Sequence, residues 1–153
     1  LRCAAHPYGY AFFNGGLAKC IGKGLLDPSL YRKCDLIEGI CANMARRENR
    51  KAVALADRLH LPVTGGSDGH VISDCGSSVT CTASEDPEEF LDELRRGKAT
   101  VIGTENPLIK KVFTAAVISA RFLPYLVPSV KIHCESRCSR TNRSLRGGRK
   151  ERQ

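Results

Sequence analysis

The strongest constraint on the fold comes from the residues between positions 35 and 64. Residues 35–41 are mostly apolar and predict a buried strand. Residues 46–59 place Ala, Val and Leu at helical spacing with Arg and Lys on the other side, which predicts an amphipathic helix. Pro62 ends this helical region, and Val63-Thr64 predicts the next strand. This order of elements is typical of a parallel sheet with helical crossovers.

Further elements extend the alternation. Asp86 is a suitable N-cap, Pro87 suits the first helical position, and Glu89 follows three residues after the cap, so a helix is predicted up to Gly97. The remaining predictions are the end of a strand at 2–5, a short helix from about 17, strands at 78–82 and 99–103, and a last helix opened by Pro107. In open parallel sheets and in barrels alike, functional groups gather at the carboxyl ends of the strands.

A pair of chemically active side chains follows the strand at residues 63–64. In an extended backbone, Asp68 and His70 project to the same side, because successive side chains alternate. A carboxylate and a neutral imidazole together suit Zn, Mn or Fe. His6 also stands where a strand ends, just before Pro7. The sequence therefore predicts a metal site formed by Asp68, His70 and His6.

Three motifs in this order resemble the PHP (polymerase and histidinol phosphatase) family of metal-dependent phosphoesterases. They are Ala5-His6-Pro7, the strand with Ile37-Glu38 followed by Asn43, and the stretch Thr64-Gly65-Gly66-Ser67-Asp68-Gly69-His70. The resemblance covers roughly residues 1–103 and corresponds to the carboxyl-terminal half of the family's domain. Gly69 stands where the family usually has Ala.

The resemblance implies an α/β fold: a partial, distorted (β/α)7 barrel with parallel strands, helical crossovers and metal ions at the carboxyl ends of the strands. His6, Asp68 and His70 match metal ligands of the family. Glu38, Asn43 and Ser67 are expected to support these ligands rather than to bind metal. The expected cofactors are divalent Zn, Mn or Fe ions.

The resemblance also implies an incomplete site, because the family's His-x-His pair does not occur in these 153 residues. Hydrolysis of phosphate esters requires metals that activate water and neutralise charge on the departing oxygen. We therefore expect a fragment that binds metal weakly and hydrolyses little phosphate ester alone. The expected substrate is a phosphorylated small molecule or a nucleotide. A non-catalytic, truncated PHP module is the alternative interpretation.

The eight cysteines allow either a disulfide framework or free thiols. Several of them lie in apolar runs, such as Cys81, and no secretory signal is visible, so free thiols in a cytoplasmic protein are the simpler interpretation. His133, Cys134 and Cys138 offer three zinc ligands at close spacing, but a fourth at a recognisable spacing is missing.

The last third of the chain predicts a helical extension and a charged tail. Residues 112–130 are nearly long and apolar enough to span a membrane, but Arg121 interrupts them and Pro124 and Pro128 predict a break, so we expect a buried or docking helix followed by a loop. The formal charge is +8 for the chain, and the 23 residues from 131 onward carry 8 basic and 2 acidic residues.

These observations complete the predicted organisation. Residues 1–103 form the PHP part, residues 104–130 a helical extension, and residues 131–153 a basic, disordered tail. Nucleic acid is a possible partner of this tail, which repeats Arg at every third position from Arg137 to Arg149. No membrane partner is expected.

Overall fold

The computed structural model describes the backbone of residues 1–9 and 15–147, and side chains within these ranges as far as residue 132. Contacts between residues divide the chain into two units, Leu1–Lys111 and a second unit that begins at Val112. The first unit contains all the strands of the described residues and three of their four α-helices. The second unit continues the last helix.

A three-stranded parallel sheet forms the centre of the first unit. Its strands are β1 (Cys3–Ala4), β2 (Leu36–Cys41) and β3 (Val63–Gly66), in the order β1-β2-β3. The pairing of β2 with β3 is irregular between Glu38 and Ile40. The mixed α/β class and the parallel strands predicted from the sequence are confirmed in this sheet.

Helix α2 (Arg46–Leu59) covers one side of the sheet and supplies most of the core. Ala52, Leu55 and Ala56 are buried and pack in a cluster with Ile37 of β2. The predicted bounds of this helix are confirmed, because its apolar positions recur at the helical period. His60 ends it in the left-handed conformation, with φ of 52°.

Short elements connect the strands. Helix α1 (Leu17–Gly22) lies between β1 and β2 and is followed by a 3₁₀ helix at Pro28–Lys33. A second 3₁₀ helix, Ile72–Asp74, follows β3. The short helix predicted from about residue 17 is therefore confirmed, whereas neither 3₁₀ helix has a counterpart among the sequence predictions.

The last two strands differ from the prediction in direction. Strands β4 (Ser78–Cys81) and β5 (Thr100–Gly103) pair antiparallel in a separate two-stranded sheet. They are joined through helix α3 (Pro87–Arg95), whose predicted N-cap is confirmed: the Asp86 carboxylate accepts hydrogen bonds from the backbone N–H groups of two following residues. The alternation of elements identified each strand, but strand direction depends on how the connection folds back.

The described residues do not form a closed barrel. Strand β3 is linked to β4 by side chains instead of a strand ladder: the Thr80 hydroxyl accepts from Gly65 N–H at 2.8 Å and donates to the Gly65 carbonyl at 2.9 Å. The prediction of a partial barrel therefore goes beyond what the structure supports, which is a mixed α/β fold with one parallel sheet. Local spacing establishes an α/β class, whereas closure requires more strands and a defined stagger between them.

Helix α4 (Leu108–Gly147) runs through Pro124 and Pro128. The predicted break at the prolines is wrong, because each proline removes only one backbone donor and the neighbouring turns keep theirs. The sequence predicts a helical extension at 104–130 and a tail at 131–153. Helix α4 begins and ends at other residues, and that division stays a prediction. Residues 148–153 lie outside the described residues, as do the side chains of His133, Cys134 and Cys138.

The portion Leu108–Ile132 of α4 is long and apolar enough to cross a membrane by length and composition. Such a test is also met by core helices and signal sequences, so it is weak evidence for a span. Large apolar side chains along this portion, including Phe122, Leu123 and Val127, are exposed. The expectation of a buried helix is wrong for these side chains, and docking stays a prediction.

Candidate metal site

The candidate site lies at the carboxyl ends of the parallel strands. His6 follows β1 by two residues, Glu38 lies within β2, and Asp68 follows β3 by two residues. Because the three strands are parallel and adjacent, their carboxyl ends meet at one edge of the sheet. The sheet thus brings together residues that are more than 60 positions apart in the chain.

Glu38 holds the backbone of His6. Its Oε2 accepts a hydrogen bond from the His6 backbone N–H at 2.6 Å. His6 has a positive φ of 26°, an uncommon conformation for a residue with a side chain. Its Nδ1 is buried and has no hydrogen-bond partner among the described residues. A buried imidazole nitrogen of this kind is available to bind a cation.

The Glu38 carboxylate is also close enough to Asp68 for the two charges to interact. Burial raises the pKa of Glu38, the hydrogen bond from His6 opposes this rise, and the negative charge of Asp68 adds to it. A Cβ at Gly66 would collide with Glu38 Oε1, so a side chain at this position would displace the carboxylate. The two carboxylates therefore repel each other at this edge, and a cation there would relieve the repulsion.

His70 adopts a different position from the one expected. Strand β3 ends at Gly66, and Asp68 has a left-handed backbone with φ of 46°. The His70 Nδ1 lies 2.9 Å from the backbone oxygen of Asp68, and the residue is exposed. The expectation that Asp68 and His70 project together from an extended strand is wrong, because the backbone turns at Asp68 and the alternation of side chains ends there.

The residues expected to support the site make well-defined contacts. Asn43 is buried, and its Nδ2 donates to the backbone oxygen of Asp68 at 2.7 Å and to Asp74 Oδ2 at 3.3 Å. Ser67 Oγ donates to the Ser78 carbonyl at 3.2 Å, which ties the end of β3 to β4. Asn43 therefore contacts the Asp68 backbone, whereas Ser67 bonds Ser78, and the supporting role of both residues stays a prediction.

The sequence analysis missed three residues of the polar network that contains Asn43: Asp74, Asn106 and Lys110. Asp74 is fully buried, and Lys110 Nζ lies 3.5 Å from its Oδ1. Asn106 Nδ2 donates to Asn43 Oδ1 at 2.9 Å. The only sequence signal was an isolated aspartate shortly after the Asp-x-His motif. No local pattern connects Lys110 with it, because the two positions are 36 residues apart.

The end of β2 is held by a second polar group. Asn49 Oδ1 accepts from Cys41 N–H at 3.2 Å, and its Nδ2 donates to the Cys41 carbonyl at 3.0 Å and to Glu105 at 3.3 Å. Burial raises the pKa of the Cys41 thiol to about 12, so it stays protonated at neutral pH. Asn49 thus completes the hydrogen bonding of the strand end.

The donor types at this edge suit a divalent cation, but their arrangement is incomplete. Among the side chains that the structure describes, no three of the His, Cys, Asp and Glu type are grouped closely enough to hold one ion. The buried and unpartnered Nδ1 of His6 favours a cation at this edge. His70 would have to leave the Asp68 carbonyl to join it. The assignment of His6, Asp68 and His70 as metal ligands stays a prediction.

Comparison with known proteins identifies a PHP relationship. The family model described as PHP-associated matches residues 46–99, about a third of the chain. The match contains Asp68 and His70 together with α2, β3 and α3, whereas His6, Glu38 and Asn43 precede it. It agrees with the PHP recognition made from the sequence motifs, which is thereby confirmed. No curated protein and no solved structure matches the chain at a significant level.

Proposed function

We propose that residues 1–111 supply part of the active site of a metal-dependent phosphoesterase. His6, Asp68 and His70 bind a divalent Zn, Mn or Fe ion, and Glu38 holds His6 in place. The observation that carries this proposal is the convergence on Glu38, which bonds the His6 backbone at 2.6 Å and interacts with the charge of Asp68. The PHP-associated match over residues 46–99 supports the same conclusion.

When bound, the metal ion would lower the pKa of a coordinated water and offset negative charge on a phosphate ester. The residues of this chain have three tasks. Glu38 fixes the backbone of His6, Asn43 fixes the backbone of Asp68, and the small residues Gly65 and Gly66 let β3 approach its neighbours closely. The sequence contains no His-x-His pair, so this part of the site holds metal weakly.

We further propose a cytoplasmic location and a phosphorylated small molecule or nucleotide as the substrate. A shallow surface depression without enclosed volume lies beside His6. His6, Tyr8, Glu38 and Met44 are among the residues that line it, so it combines apolar walls with the polar groups of the candidate site. We propose no membrane partner for this function.

Metal binding by the full chain tests the proposal. Titration with Mn²⁺ in a calorimeter should show weak binding that Asp68→Asn and His6→Ala abolish. His60→Ala is the matched control, because this exposed histidine ends α2 and lies outside the candidate site. Binding that survives Asp68→Asn and His6→Ala would refute the site.

Hydrolysis of p-nitrophenyl phosphate tests the incompleteness of the site. We expect little or no turnover by the 153-residue chain with Mn²⁺. Rapid, metal-dependent turnover by this chain would show that its own ligands suffice. In a chain that also supplies a His-x-His pair, Asp68→Asn and His70→Ala should remove both bound metal and phosphatase activity.

Two other functions are tested by the same samples. A non-catalytic PHP module would neither bind Mn²⁺ nor respond to the ligand substitutions. Nucleic-acid binding through residues 131–153 would appear as affinity for DNA or RNA that falls steeply with salt, because binding would release counterions. Residues 131–153 contain 8 basic and 2 acidic residues, and this positive charge favours nucleic-acid binding as the second candidate function.

A further inference from the structure

Lys110 is unusually well fixed for a lysine in the first turn of a helix. Its Nζ donates to the Ser73 carbonyl at 2.7 Å, Asn106 Oδ1 at 3.2 Å and Ser77 Oγ at 3.3 Å, and it pairs with Asp74 at 3.5 Å. The Asp74 side chain in this pair is fully buried. A buried carboxylate is costly unless a cation and hydrogen bonds compensate it, so Lys110 stabilises Asp74 where it lies.

Asp74 connects this lysine to the candidate site. Its Oδ2 accepts from Asn43 Nδ2 at 3.3 Å, and the same Nδ2 donates to the backbone oxygen of Asp68 at 2.7 Å. Asn106 donates to Asn43 Oδ1 at 2.9 Å. Both ends of the Asn43 amide are therefore bonded, which fixes its orientation. The contacts form a continuous chain from Lys110 through Asp74 and Asn43 to Asp68.

Asp68 has a physical need for such support. Its φ of 46° lies in the left-handed region, which residues with a side chain adopt uncommonly, although Asp and Asn do so more often than most. Such a conformation persists when surrounding contacts determine it. Asp74 also lies close to Gly69, the residue that follows Asp68. A Cβ added at Gly69 would be 3.3 Å from Asp74 Cβ.

We propose that Lys110 is a positioning residue for Asp68, acting through Asp74 and Asn43. It lies outside the PHP-associated match and beyond the predicted PHP boundary at residue 103. The consequence for metal affinity rests on the function proposed above, whereas the effect on the Asp68 backbone does not. An alternative is that Lys110 only anchors the start of α4, in which case Asp68 would not respond to its removal.

Lys111 provides a matched control within the same turn. Its Nζ donates to the Met44 carbonyl at 2.6 Å, and no hydrogen bond from its Nζ to Asp74, Asn43 or Asp68 is present. Both lysines therefore bond a backbone oxygen of the first unit, but only Lys110 lies next to Asp74. A purely structural role for the start of α4 predicts similar effects of Lys110→Met and Lys111→Met.

Triple-resonance NMR of the full chain without metal reads the Asp68 backbone directly, because the Gly69 amide correlates with the Asp68 carbonyl carbon. We expect Lys110→Met to move this carbonyl signal upfield, as for a carbonyl that loses a hydrogen bond, and Lys111→Met to leave it in place. Lys110→Arg, which keeps the cation, should restore the signal towards its original position. An unchanged Asp68 signal in Lys110→Met, or equal shifts in both Met variants, would overturn the proposal.

Two additional measurements keep the test decisive. If Lys110→Met does not fold, Lys110→Gln removes the charge but keeps a donor, and we expect a smaller upfield shift; no shift would also overturn the proposal. Calorimetry with Mn²⁺ should show about a tenfold loss of affinity in Lys110→Met, as for other residues that orient metal ligands. If the unsubstituted chain binds no Mn²⁺, the proposed function fails, while the NMR result still decides the role of Lys110.

Discussion

The carboxyl edge of the parallel sheet and the exposed part of α4, residues 112–132, differ in what determines their structure. At the edge, Glu38 contacts His6, and Asn43 contacts Asp68, across 25 to 32 positions of sequence. Along 112–132, the backbone is one regular helix and most large apolar side chains are exposed. The helix is thus formed by contacts between neighbouring turns, whereas the candidate site depends on contacts between distant segments.

The largest expected difference between the two regions concerns isoleucine. Ile37 is fully buried in β2, and Ile132 of α4 is 66% exposed. Ile37→Ala should lower the free energy of unfolding by about 2–5 kcal/mol, because it removes buried apolar surface and leaves a cavity. Ile132→Ala should change it by less than about 0.5 kcal/mol. Denaturant unfolding followed by circular dichroism measures both, and similar losses would contradict the comparison.

A second difference concerns close packing at the edge. Gly66→Ala should destabilise the protein by about 1–3 kcal/mol, because the new Cβ collides with Glu38 Oε1 and displaces that side chain. Gly22→Ala, at the end of α1, is the control, since a Cβ there meets nothing within 4 Å. It should be neutral or slightly stabilising. Thermal unfolding of the two variants tests this, and a harmless Gly66→Ala would mean that the edge is loosely packed.

A smaller effect is expected where the contact is local. Asp86→Ala removes the N-cap of α3, whose carboxylate accepts two backbone hydrogen bonds at 3.0 Å, and should cost about 1 kcal/mol. Asp86→Asn keeps an acceptor and should cost less. Urea unfolding provides the measurement. A loss as large as that of Ile37→Ala would show that α3 depends on more than its local cap.

The smallest expected effect is the change in stability with pH that Glu105 causes in the acid range. Residues 112–132 contain no carboxylate and cannot cause such a change. Glu105 bonds Asn49 and Arg46; although burial acts in the opposite direction, hydrogen bonds hold the pKa of Glu105 below its usual 4.5. Its contribution to stability is therefore complete above 4.5 and is lost as pH falls through the lowered pKa. Glu105→Gln should flatten this part of the stability curve by less than about 1 kcal/mol. If the stability of Glu105→Gln falls with pH in the same way as that of the unsubstituted protein, Glu105 does not contribute to the pH dependence.

Much of the secondary structure of the first unit follows from local sequence. Helix α2 has its predicted bounds, the Asp86 cap is present, and each predicted strand exists within one or two residues at its ends. The candidate site was only partly foreseen. Motif order located His6 and Asp68 at strand ends, but the turn at Asp68 and the position of Glu38 between them depend on strand pairing.

The sequence by itself therefore determined helices α1 to α3, the strands and the PHP relationship, because hydrophobic periodicity, capping residues and short motifs act over a few neighbouring positions. The tertiary structure alone decided the antiparallel pairing of β4 with β5, the turned-back ring of His70, and the link from Lys110 to Asp68. The strand pairing and the link from Lys110 join segments that are distant in the chain, and the turn at Asp68 that redirects His70 is bonded by Asn43, 25 positions away. Their energies depend on burial and on hydrogen-bond geometry, which exist only once the chain has folded.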